Sequence, residues 1–334
     1  MPEKFIFFRA KNFVNIFIKR SDPIHIIFVD CEREKQEIFF VFLSFYFGNL
    51  HTGQKYLILP SYYLIIVKGK VVIITGASSG IGKACAVAFT KAGATIIISG
   101  RNREKLGETE NEIKKINQNI LSVPGDVSIE SDCKKIIDEA VNKFGKIDVL
   151  INNAGISMRA LFEETELNVL KKVMDTNFWG TVYCTKYALP YLLKSKGSVV
   201  GISSIAGKKG LPGRTGYSAS KFAIEGFLES LRIENLKKNL HVLVACPGFT
   251  ASNIRNSALS KDGRAQGESP RNEREMMSAE KVAEEILIAV NQRKRDLILT
   301  ADGKLTVWLN KFCPSWMDKM VFRQLSKEKD SPFK

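Results

Sequence analysis

Seven short apolar runs alternate with longer amphipathic stretches from residue 67 onward, and this alternation constrains the fold more than any other feature of the sequence. Each run is continuously apolar, which is typical of parallel strands that are buried on both faces. The predicted strands are 71–75, 95–99, 120–124, 149–152, 198–203, 241–246 and 296–300.

The amphipathic stretches have the length of helices, and they predict that helices cover both faces of one sheet. They span residues 103–117, 129–144, 167–194, 217–236 and 279–291. Right-handed crossovers then give an α/β fold with a doubly wound, mostly parallel seven-stranded sheet. The ligand crevice of such a sheet is expected at the carboxyl ends of the strands, where the winding reverses.

Residues 1–66 form a segment of different composition. They hold 11 of the 21 phenylalanines but a single alanine, Ala10. Their apolar runs, 38–47 and 56–67, are shorter than the roughly 20 residues that span a bilayer, although a membrane anchor is the functional alternative. The crowding of Phe, Ile, Lys, Asn and Tyr favours a translated AT-rich upstream region, with natural synthesis beginning at Val67. We therefore expect this extension to be poorly ordered and not part of the natural protein.

The net charge of +15 does not by itself indicate which anionic partner the protein binds. A positive surface attracts any anion, whether nucleic acid, membrane or cofactor. The sequence has no run of five basic residues and no basic stretch interleaved with aromatics, so nucleic-acid binding is not expected. The six cysteines are scattered without metal-ligand spacing, which predicts no metal site and a reducing, cytoplasmic environment.

A glycine-rich loop follows the first predicted strand and precedes a helix-forming stretch. Residues 75–82 read TGASSGIG. Glycines let the backbone turn tightly against a pyrophosphate, whose charge meets the positive end of the helix. The position between strand and helix favours a dinucleotide site over an ordinary turn. The expected contacts are Gly76, Ser78, Ser79, Gly80, Ile81 and Gly82.

The end of the second predicted strand indicates which dinucleotide binds. NAD-binding proteins carry an acid there for the ribose 2′-hydroxyl, whereas this chain has Ser99, Gly100 and Arg101. A guanidinium suits phosphate oxygens, so Arg101 predicts that NADP(H) is preferred over NAD(H). The alternative is that Arg101 is merely solvated at the start of a helix.

A serine, a tyrosine and a lysine form the predicted reacting centre. Tyr217 and Lys221 are spaced i and i+4, which places them on one face of a helix. An ammonium beside a phenol is expected to lower the phenol's pKa from about 10. Tyr217 would then exchange a proton with the substrate, and Ser204 at the end of a strand would hydrogen-bond the substrate oxygen. The sequence YSASK alone would be more typical of a surface helix, but the glycine loop and Ser204 precede it in order.

Over residues 68 to about 300 the chain resembles the short-chain dehydrogenases/reductases of the one-domain type. The matching elements are TGxxxGxG at 75–82, Asp126, NNAG at 152–155, Asn177, Ser204, YxxxK at 217–221 and the pair Pro247 and Gly248. The resemblance implies a Rossmann fold and hydride transfer between a nicotinamide and a carbonyl or secondary alcohol, with Tyr217 as general acid and base. The alternatives are a non-catalytic nucleotide sensor on the same fold, and a membrane-associated reductase of lipid-like or steroid-like ketones.

The same resemblance implies roles for further residues. Asn177 would hold a water that links Lys221 to solvent, so the implied catalytic residues are Asn177, Ser204, Tyr217 and Lys221. The last two also belong to the cofactor site. The other implied cofactor contacts are Asp126 at the adenine with Val127 beside it, Asn153, Ala154 and Gly155 near the adenosine ribose, and Pro247, Gly248 and Thr250 along the nicotinamide. Residues 249–253 depart from the family pattern, so Ser252 is an alternative to Thr250.

Two segments beyond Gly248 leave alternatives open. Residues 250–277 are polar and are expected to form a mobile lid over the substrate. Residues 301–334 form an amphipathic tail in which Trp308 and Phe312 lie among lysines. Such a tail fits packing on the core or on a partner subunit, and it also fits contact with a membrane surface. The resemblance implies a homodimer or homotetramer.

Overall fold

The computed structural model describes two parts of the chain. In the first 66 residues it describes the backbone of 5–10, 14–21 and 24–31, and beyond them it describes residues 67–251, 254–267, 269, 276–328 and 331–333. The chain divides into two compact units, Met1–Ile65 and Ile66–Lys334.

An antiparallel sheet of three strands forms the described part of the first unit. Strand β1 (Phe5–Ala10) pairs with β2 (Val14–Ser21), and β2 pairs with β3 (Ile24–Cys31). Their Phe, Ile and Val residues favour extended backbone, although no strand is predicted here from the composition. The apolar runs 38–47 and 56–67, considered above as a membrane anchor, lie outside the described residues apart from Val67.

A parallel sheet of seven strands forms the centre of the second unit. In chain order the strands are β4 (Val71–Thr75), β5 (Thr95–Gly100), β6 (Ile120–Pro124), β7 (Val149–Asn152), β8 (Ser198–Ile202), β9 (His241–Cys246) and β10 (Asp296–Ile298). Their spatial order is β10-β9-β8-β7-β4-β5-β6, and every pairing is parallel. The predicted doubly wound α/β fold is therefore confirmed. The winding reverses between β4 and β7, which opens a crevice at their carboxyl ends.

Helices surround this sheet, and most of their bounds are close to the predicted ones. They are α1 (Gly80–Lys91), α2 (Arg103–Lys114), α3 (Glu130–Phe144), α4 (Leu167–Met174), α5 (Gly180–Lys194), α6 (Thr215–Glu234), α7 (Ala279–Asn291), α8 (Ala301–Phe312) and α9 (Pro314–Ser326). Helix α1 packs against α7, and α3 packs against α5. The central strand β4 is buried throughout, as its continuous apolar sequence predicts.

The helix predicted over 167–194 is interrupted. A π-helical turn at Asp175–Trp179 separates α4 from α5. Gly180 follows the turn, and a Cβ there would lie only 2.7 Å from Cγ2 of Val127. Glycine therefore lets this helix approach the loop after β6 closely.

The last predicted strand, 296–300, is two residues too long. Strand β10 ends at Ile298 because Thr300 caps the next helix. The Thr300 hydroxyl accepts a hydrogen bond from the backbone N–H of Gly303 at 3.0 Å. A threonine at this position satisfies a backbone donor that the helix itself leaves unpaired.

Candidate active site

A cleft of about 590 Å³ lies beside residues that follow the carboxyl ends of six neighbouring strands, β4 to β9. The predicted site residues that line it are Gly76, Ser78, Ser79, Gly80, Ile81, Arg101, Val127, Asn153, Ala154, Gly155, Ser204, Tyr217, Lys221, Pro247, Gly248 and Thr250. Three other predicted residues, Gly82, Asp126 and Asn177, are described but are not part of this lining. The fold thus brings most of the predicted set to one cleft.

The glycine loop between β4 and α1 depends on glycine geometry. Gly76 and Gly80 have φ of +64° and +54°, a region that side chains rarely adopt. Gly82 lies under the loop, where a Cβ would be 2.3 Å from the carbonyl oxygen of Gly76 and 2.4 Å from Nδ2 of Asn153. Gly82 therefore supports the loop by close packing.

Residues after β7 brace the same loop. The Asn153 amide Nδ2 donates to the carbonyl oxygens of Thr75 and Gly76 at 2.9 and 3.0 Å. The backbone N–H groups of Asn153 and Ala154 both donate to Oγ1 of Thr75 at 3.1 Å. Ser79, at the N-cap of α1, makes no side-chain capping hydrogen bond. The positive end of the helix therefore suits an anionic group in the cleft.

Arg101 stands at the end of β5 with more than half of its side chain exposed. Its guanidinium lies 3.6 Å from a carboxylate oxygen of Asp126. The same carboxylate accepts hydrogen bonds from the backbone N–H and the hydroxyl of Ser128 at 3.0 and 2.8 Å. Lys105, which the sequence analysis did not single out, also lines this end of the cleft. Among the described residues, no acidic side chain lines the cleft.

Ser204, Tyr217 and Lys221 meet at the other end of the cleft. Ser204 follows β8, and its hydroxyl also accepts a hydrogen bond from the N–H of Ala206 at 3.2 Å. Tyr217 lies near the start of α6 and is hydrogen-bonded to Ser204. One turn later the Lys221 ammonium lies 5.6 Å from the centre of the Tyr217 ring and donates to the carbonyl oxygen of Ile202 at 2.8 Å.

Burial is the largest influence on the pKa values of Tyr217 and Lys221. It raises the pKa of Tyr217 above 10.0, although the hydrogen bond from Ser204 and the charges of Arg214 and Arg255 act in the opposite direction. The lowered pKa expected for this phenol is therefore wrong for the protein alone. Burial also lowers the pKa of Lys221 from 10.5 to about 8, because an ammonium loses its hydration in the interior.

Asn177 lies in the π-helical turn and is fully buried. Its Nδ2 donates to the Ile156 carbonyl and to the Ser220 hydroxyl, each at 2.9 Å, and its Oδ1 accepts from the N–H of Ile156 at 2.8 Å. Both amide hydrogens are thus used, so a water could reach this amide only by donating to Oδ1. A Cβ added to Gly155 would lie 3.2 Å from Oδ1 of Asn177 and 3.5 Å from Nζ of Lys221. Asn177 is therefore close to Lys221.

Several residues of the cleft beside Tyr217 were not predicted. They are Leu211, Arg214, Phe249, Ile254 and Arg255. Arg214 stands only three residues before Tyr217, at the N-cap of α6, which is a signal that the sequence did offer. Phe249, Ile254 and Arg255 come from the polar segment after β9, whose path depends on tertiary contacts.

The segment predicted to be a lid is partly described. The backbone N–H of Ala251 donates to the carbonyl of Met277 at 2.9 Å. Leu259 forms an isolated parallel β-bridge with Met158. The hydroxyl of Thr250 donates to the Gly248 carbonyl at 3.2 Å. Ser252, the alternative to Thr250, lies outside the described residues.

Comparisons with known proteins match most of the chain. A family model described as short chain dehydrogenase matches residues 70–263. Dehydrogenase/reductase SDR family member 7B of Mus musculus is 35% identical over 271 residues, which cover 79% of this chain and 84% of that protein. The 11-beta-hydroxysteroid dehydrogenase A of Sesamum indicum is 34% identical over 292 residues, with 85% of this chain and 83% of that protein covered.

Solved structures show the same fold. A short chain dehydrogenase/reductase from Burkholderia phymatum in complex with NAD aligns with a TM-score of 0.68 at 24% identity, over 75% of this chain and 95% of its own. An alcohol dehydrogenase from the archaeon Thermococcus sibiricus, complexed with 5-hydroxy-NADP, aligns with a TM-score of 0.63 at 22% identity, over 70% of this chain and 96% of its own. At these identities the likeness concerns the fold alone.

Proposed function

The chain belongs to the short-chain dehydrogenase/reductase family of oxidoreductases, which act on alcohol and ketone groups, and on this premise we propose that it transfers a hydride between NADP(H) and a carbonyl compound or secondary alcohol. One observation carries the proposal. Ser204, Tyr217 and Lys221 lie in the same cleft as the glycine loop. A nucleotide sensor would have no need of a tyrosine and a lysine placed for proton transfer.

The residues of the cofactor end fit a dinucleotide phosphate. The glycine loop and the uncapped start of α1 would hold the pyrophosphate. Arg101 and Lys105 would hold a 2′-phosphate. No acidic side chain is part of the described lining, and the Asp126 carboxylate, outside it, lies 3.6 Å from the Arg101 guanidinium. Of the two structural neighbours, one is in complex with NAD and the other with an NADP derivative, so the preference for NADP(H) rests on Arg101 and its surroundings.

Comparing kcat/KM for NADPH and NADH tests this preference. We expect NADPH to be preferred, and we expect Arg101→Ala to reduce the preference at least about tenfold, since one lost charge-assisted contact costs about 1.5–3 kcal/mol. Arg103→Ala, which removes an exposed arginine from the start of α2, is the matched control. A tenfold preference of the parent enzyme for NADH would refute the proposal.

The chain's own residues would manage the proton and the substrate oxygen. A bound reduced nicotinamide supplies the hydride. Tyr217 donates a proton to the carbonyl oxygen, and Ser204 hydrogen-bonds the same oxygen as negative charge develops on it. Lys221, held by the Ile202 carbonyl, favours the phenolate that remains and grips the nicotinamide ribose. Asn177 keeps the backbone at Ile156 in place beside Lys221. Its Oδ1 would accept a hydrogen bond from a water that links Lys221 to solvent.

NADPH oxidation measured against aldehydes, ketones, 3-oxoacyl esters and steroid-like ketones tests the activity. The parent should oxidise NADPH with members of one class. Tyr217→Phe should lose turnover and keep NADPH binding, because only the phenol hydroxyl is removed. Tight NADPH binding without turnover of any class by the parent would favour the nucleotide-sensor alternative.

A second candidate property, contact with a membrane surface, is favoured by the pair α8 and α9. Large apolar side chains are exposed on these helices, namely Leu305, Trp308, Phe312, Trp316, Met320 and Phe322. Exposed basic residues on the same helices, Lys304, Lys311, Lys319 and Arg323, would attract anionic lipid. No helix in the described part of the chain is long and apolar enough to cross a membrane. From the exposed apolar and basic side chains of α8 and α9 we propose that the protein contacts a membrane surface and that its substrate is a lipid-like or steroid-like ketone.

Co-sedimentation with anionic phospholipid vesicles tests this placement. Trp308→Ser combined with Phe312→Ser should weaken binding at least about tenfold, because two large apolar side chains are lost. Leu167→Ser, at another exposed leucine, should leave it unchanged. Equal binding of all three proteins would exclude α8 as the contact.

We also propose that the protein is a homodimer or homotetramer. Trp179 and Phe222, on elements that flank the cleft, are each more than 40% exposed, and large exposed apolar side chains favour subunit contacts. Size-exclusion chromatography with light scattering measures the molar mass of the assembly. A monomer at micromolar concentration would contradict the proposal.

A further inference from the structure

The segment that ends the chain packs beside the wall of the cleft. Met317, Val321 and Leu325 of α9 form a buried cluster with Leu211 and Phe333 packed against it. Leu211 also lines the cleft. The helix α9 therefore supports, through Leu211, the loop that leads to Tyr217.

Glu328, just beyond α9, adds a buried ionic contact to this packing. Its Oε2 accepts a hydrogen bond from Arg214 at 3.3 Å and lies 3.6 Å from a guanidinium nitrogen of Arg159. The exposed fractions of the three side chains are 5% for Glu328, 11% for Arg214 and 9% for Arg159. Removing one partner of such a buried group leaves an uncompensated charge, which is far more costly than the loss of a surface pair.

The two arginines belong to different segments of the site. Arg214 lines the cleft at the N-cap of α6, and the preceding Gly213 accepts a hydrogen bond from the N–H of Ala160. The N–H of Arg159 donates to the carbonyl of Leu259, another lining residue. Glu328 thus joins the end of the chain to the two segments that border the cleft beside Tyr217.

We propose that Glu328 is a positioning residue for the proton donor, because its carboxylate hydrogen-bonds Arg214, which lines the cleft three residues before Tyr217, and offsets part of the Arg214 charge at this end of the cleft. The proposal rests on the proposed role of Tyr217 in proton transfer. Glu328 would thereby set the pH range in which Tyr217 exchanges its proton.

The charged and titratable groups around Tyr217 decide the sign of the effect. Arg214 and Arg255 favour its phenolate, whereas Cys246 at the end of β9 opposes it. Lys221 lies over the ring, and Ser204 hydrogen-bonds the hydroxyl. Since Glu328 offsets part of the charge of Arg214, removal of the carboxylate charge should favour the phenolate and move its titration to lower pH.

A direct titration of Tyr217 tests this inference without any substrate. The ultraviolet absorbance of the phenolate is followed with pH in the full chain, and each curve is taken as the difference from the same protein carrying Tyr217→Phe. Glu328→Gln keeps a hydrogen-bond acceptor for Arg214 and loses only the charge. Its titration midpoint should fall below that of the parent, whereas Arg214→Met should raise the midpoint.

A double-mutant cycle separates this role from a merely structural one. The two charges act on Tyr217 through space, so the opposite shifts caused by Glu328→Gln and Arg214→Met should largely cancel in the double variant. A general loosening of the cleft would instead shift both single variants in the same direction. Asp318→Asn, which removes the exposed partner of Lys209 on α9, should titrate as the parent does. An unchanged midpoint in Glu328→Gln, or shifts of the same sign in the two single variants, would overturn the inference.

If Glu328→Gln does not fold, as judged by circular dichroism, the titration midpoint of Tyr217 in Arg214→Met alone tests the inference. An unchanged midpoint in that variant would show that Arg214 does not act on Tyr217, and the inference would be wrong. The phenol of Tyr217 titrates whether or not a hydride is transferred. The outcome of this titration is therefore independent of the activity assays that test the proposed reaction.

Discussion

Gly82 shows at the scale of one residue why the glycine loop tolerates no side chain. Its hydrogen faces the Gly76 carbonyl and the Asn153 amide, and both are part of the loop's own hydrogen bonding. The sequence motif singles out this position as a cofactor contact. However, the cleft lining does not include it, so its role follows from packing rather than from contact with a ligand.

Gly82→Ala should therefore weaken NADPH binding, because it displaces the glycine loop. A Cβ at 2.3 Å from the Gly76 carbonyl must displace the loop, and we expect Kd to rise at least about tenfold, or about 1.4 kcal/mol. Fluorescence titration with NADPH measures this. Gly107→Ala in α2, where a Cβ would meet no atom within 4 Å, should bind NADPH as the parent does. Equal affinity of both variants would contradict the packing argument.

We expect Lys221 to determine a second property at this scale, the dependence of the reaction on pH. Its pKa is lowered by burial to about 8, so the ammonium is present below that pH and is lost as pH rises through it. Reductive kcat/KM should accordingly fall as pH passes about 8. A pH profile measured at saturating NADPH checks this, and a rate that stays constant on both sides of that pH would argue against a role for the Lys221 charge.

Asp148 connects elements, because it joins the start of β4 to the residues before β7. One carboxylate oxygen accepts from the N–H of Val71 at 2.9 Å and lies 2.9 Å from Nζ of Lys146, while the other accepts from Lys70 at 3.1 Å. Burial alone would raise its pKa, but these hydrogen bonds lower it below 3.8. The stabilisation is thus fully present at neutral pH and is lost as pH falls through the lowered pKa.

Asp148→Asn should reduce the free energy of unfolding by about 1–3 kcal/mol at neutral pH, because a buried charge-assisted network is broken. The loss should disappear in acid, where the parent's carboxyl is protonated as well. Urea unfolding measures both quantities. Asp138→Asn, at an exposed pair with Lys134 on α3, should change stability by less than about 0.5 kcal/mol. Equal effects of the two substitutions would show that the position of Asp148 is not special.

Elements also show what a sequence can predict and what it cannot. The seven strands of the parallel sheet were predictable because burial on both faces leaves continuous apolar runs. The π-helical turn at Asn177 was not predicted, and the contacts that Asn177 makes there, with Ile156 and Ser220, join residues distant in the chain. The pairing of Arg214 with Glu328 spans 114 positions, and no local pattern indicates such a contact.

At the scale of the whole molecule, the seven-stranded sheet and all the described residues that line the cleft lie in the second unit. We therefore expect a chain that begins with Met in place of Val67 to fold and to keep full activity. Thermal unfolding and NADPH oxidation, compared with the full chain, measure this. Loss of folding would contradict it, and peptides from residues 3–60 in the protein from its native host would contradict the expectation that this extension is not natural.

The motifs predicted most of the cleft because cofactor contacts follow strand ends, where each short motif stands next to its own strand. They did not predict the wall beside Tyr217, since Leu211, Arg214 and Ile254 are placed by segments without a regular pattern. We propose that substrate choice depends on this second group. The cofactor end can thus be read from local sequence, whereas the substrate end requires the three-dimensional structure.

The transfer of deuterium from NADPH that carries deuterium at both C4 positions tests the central claim most directly. With a carbonyl substrate found by NADPH oxidation, mass spectrometry should detect deuterium on the carbinol carbon of the product. Tyr217→Phe should bind NADPH yet form less than about a tenth of that product in the same time, because the proton donor is missing. Product without deuterium, or rapid labelled product from Tyr217→Phe, would contradict the account.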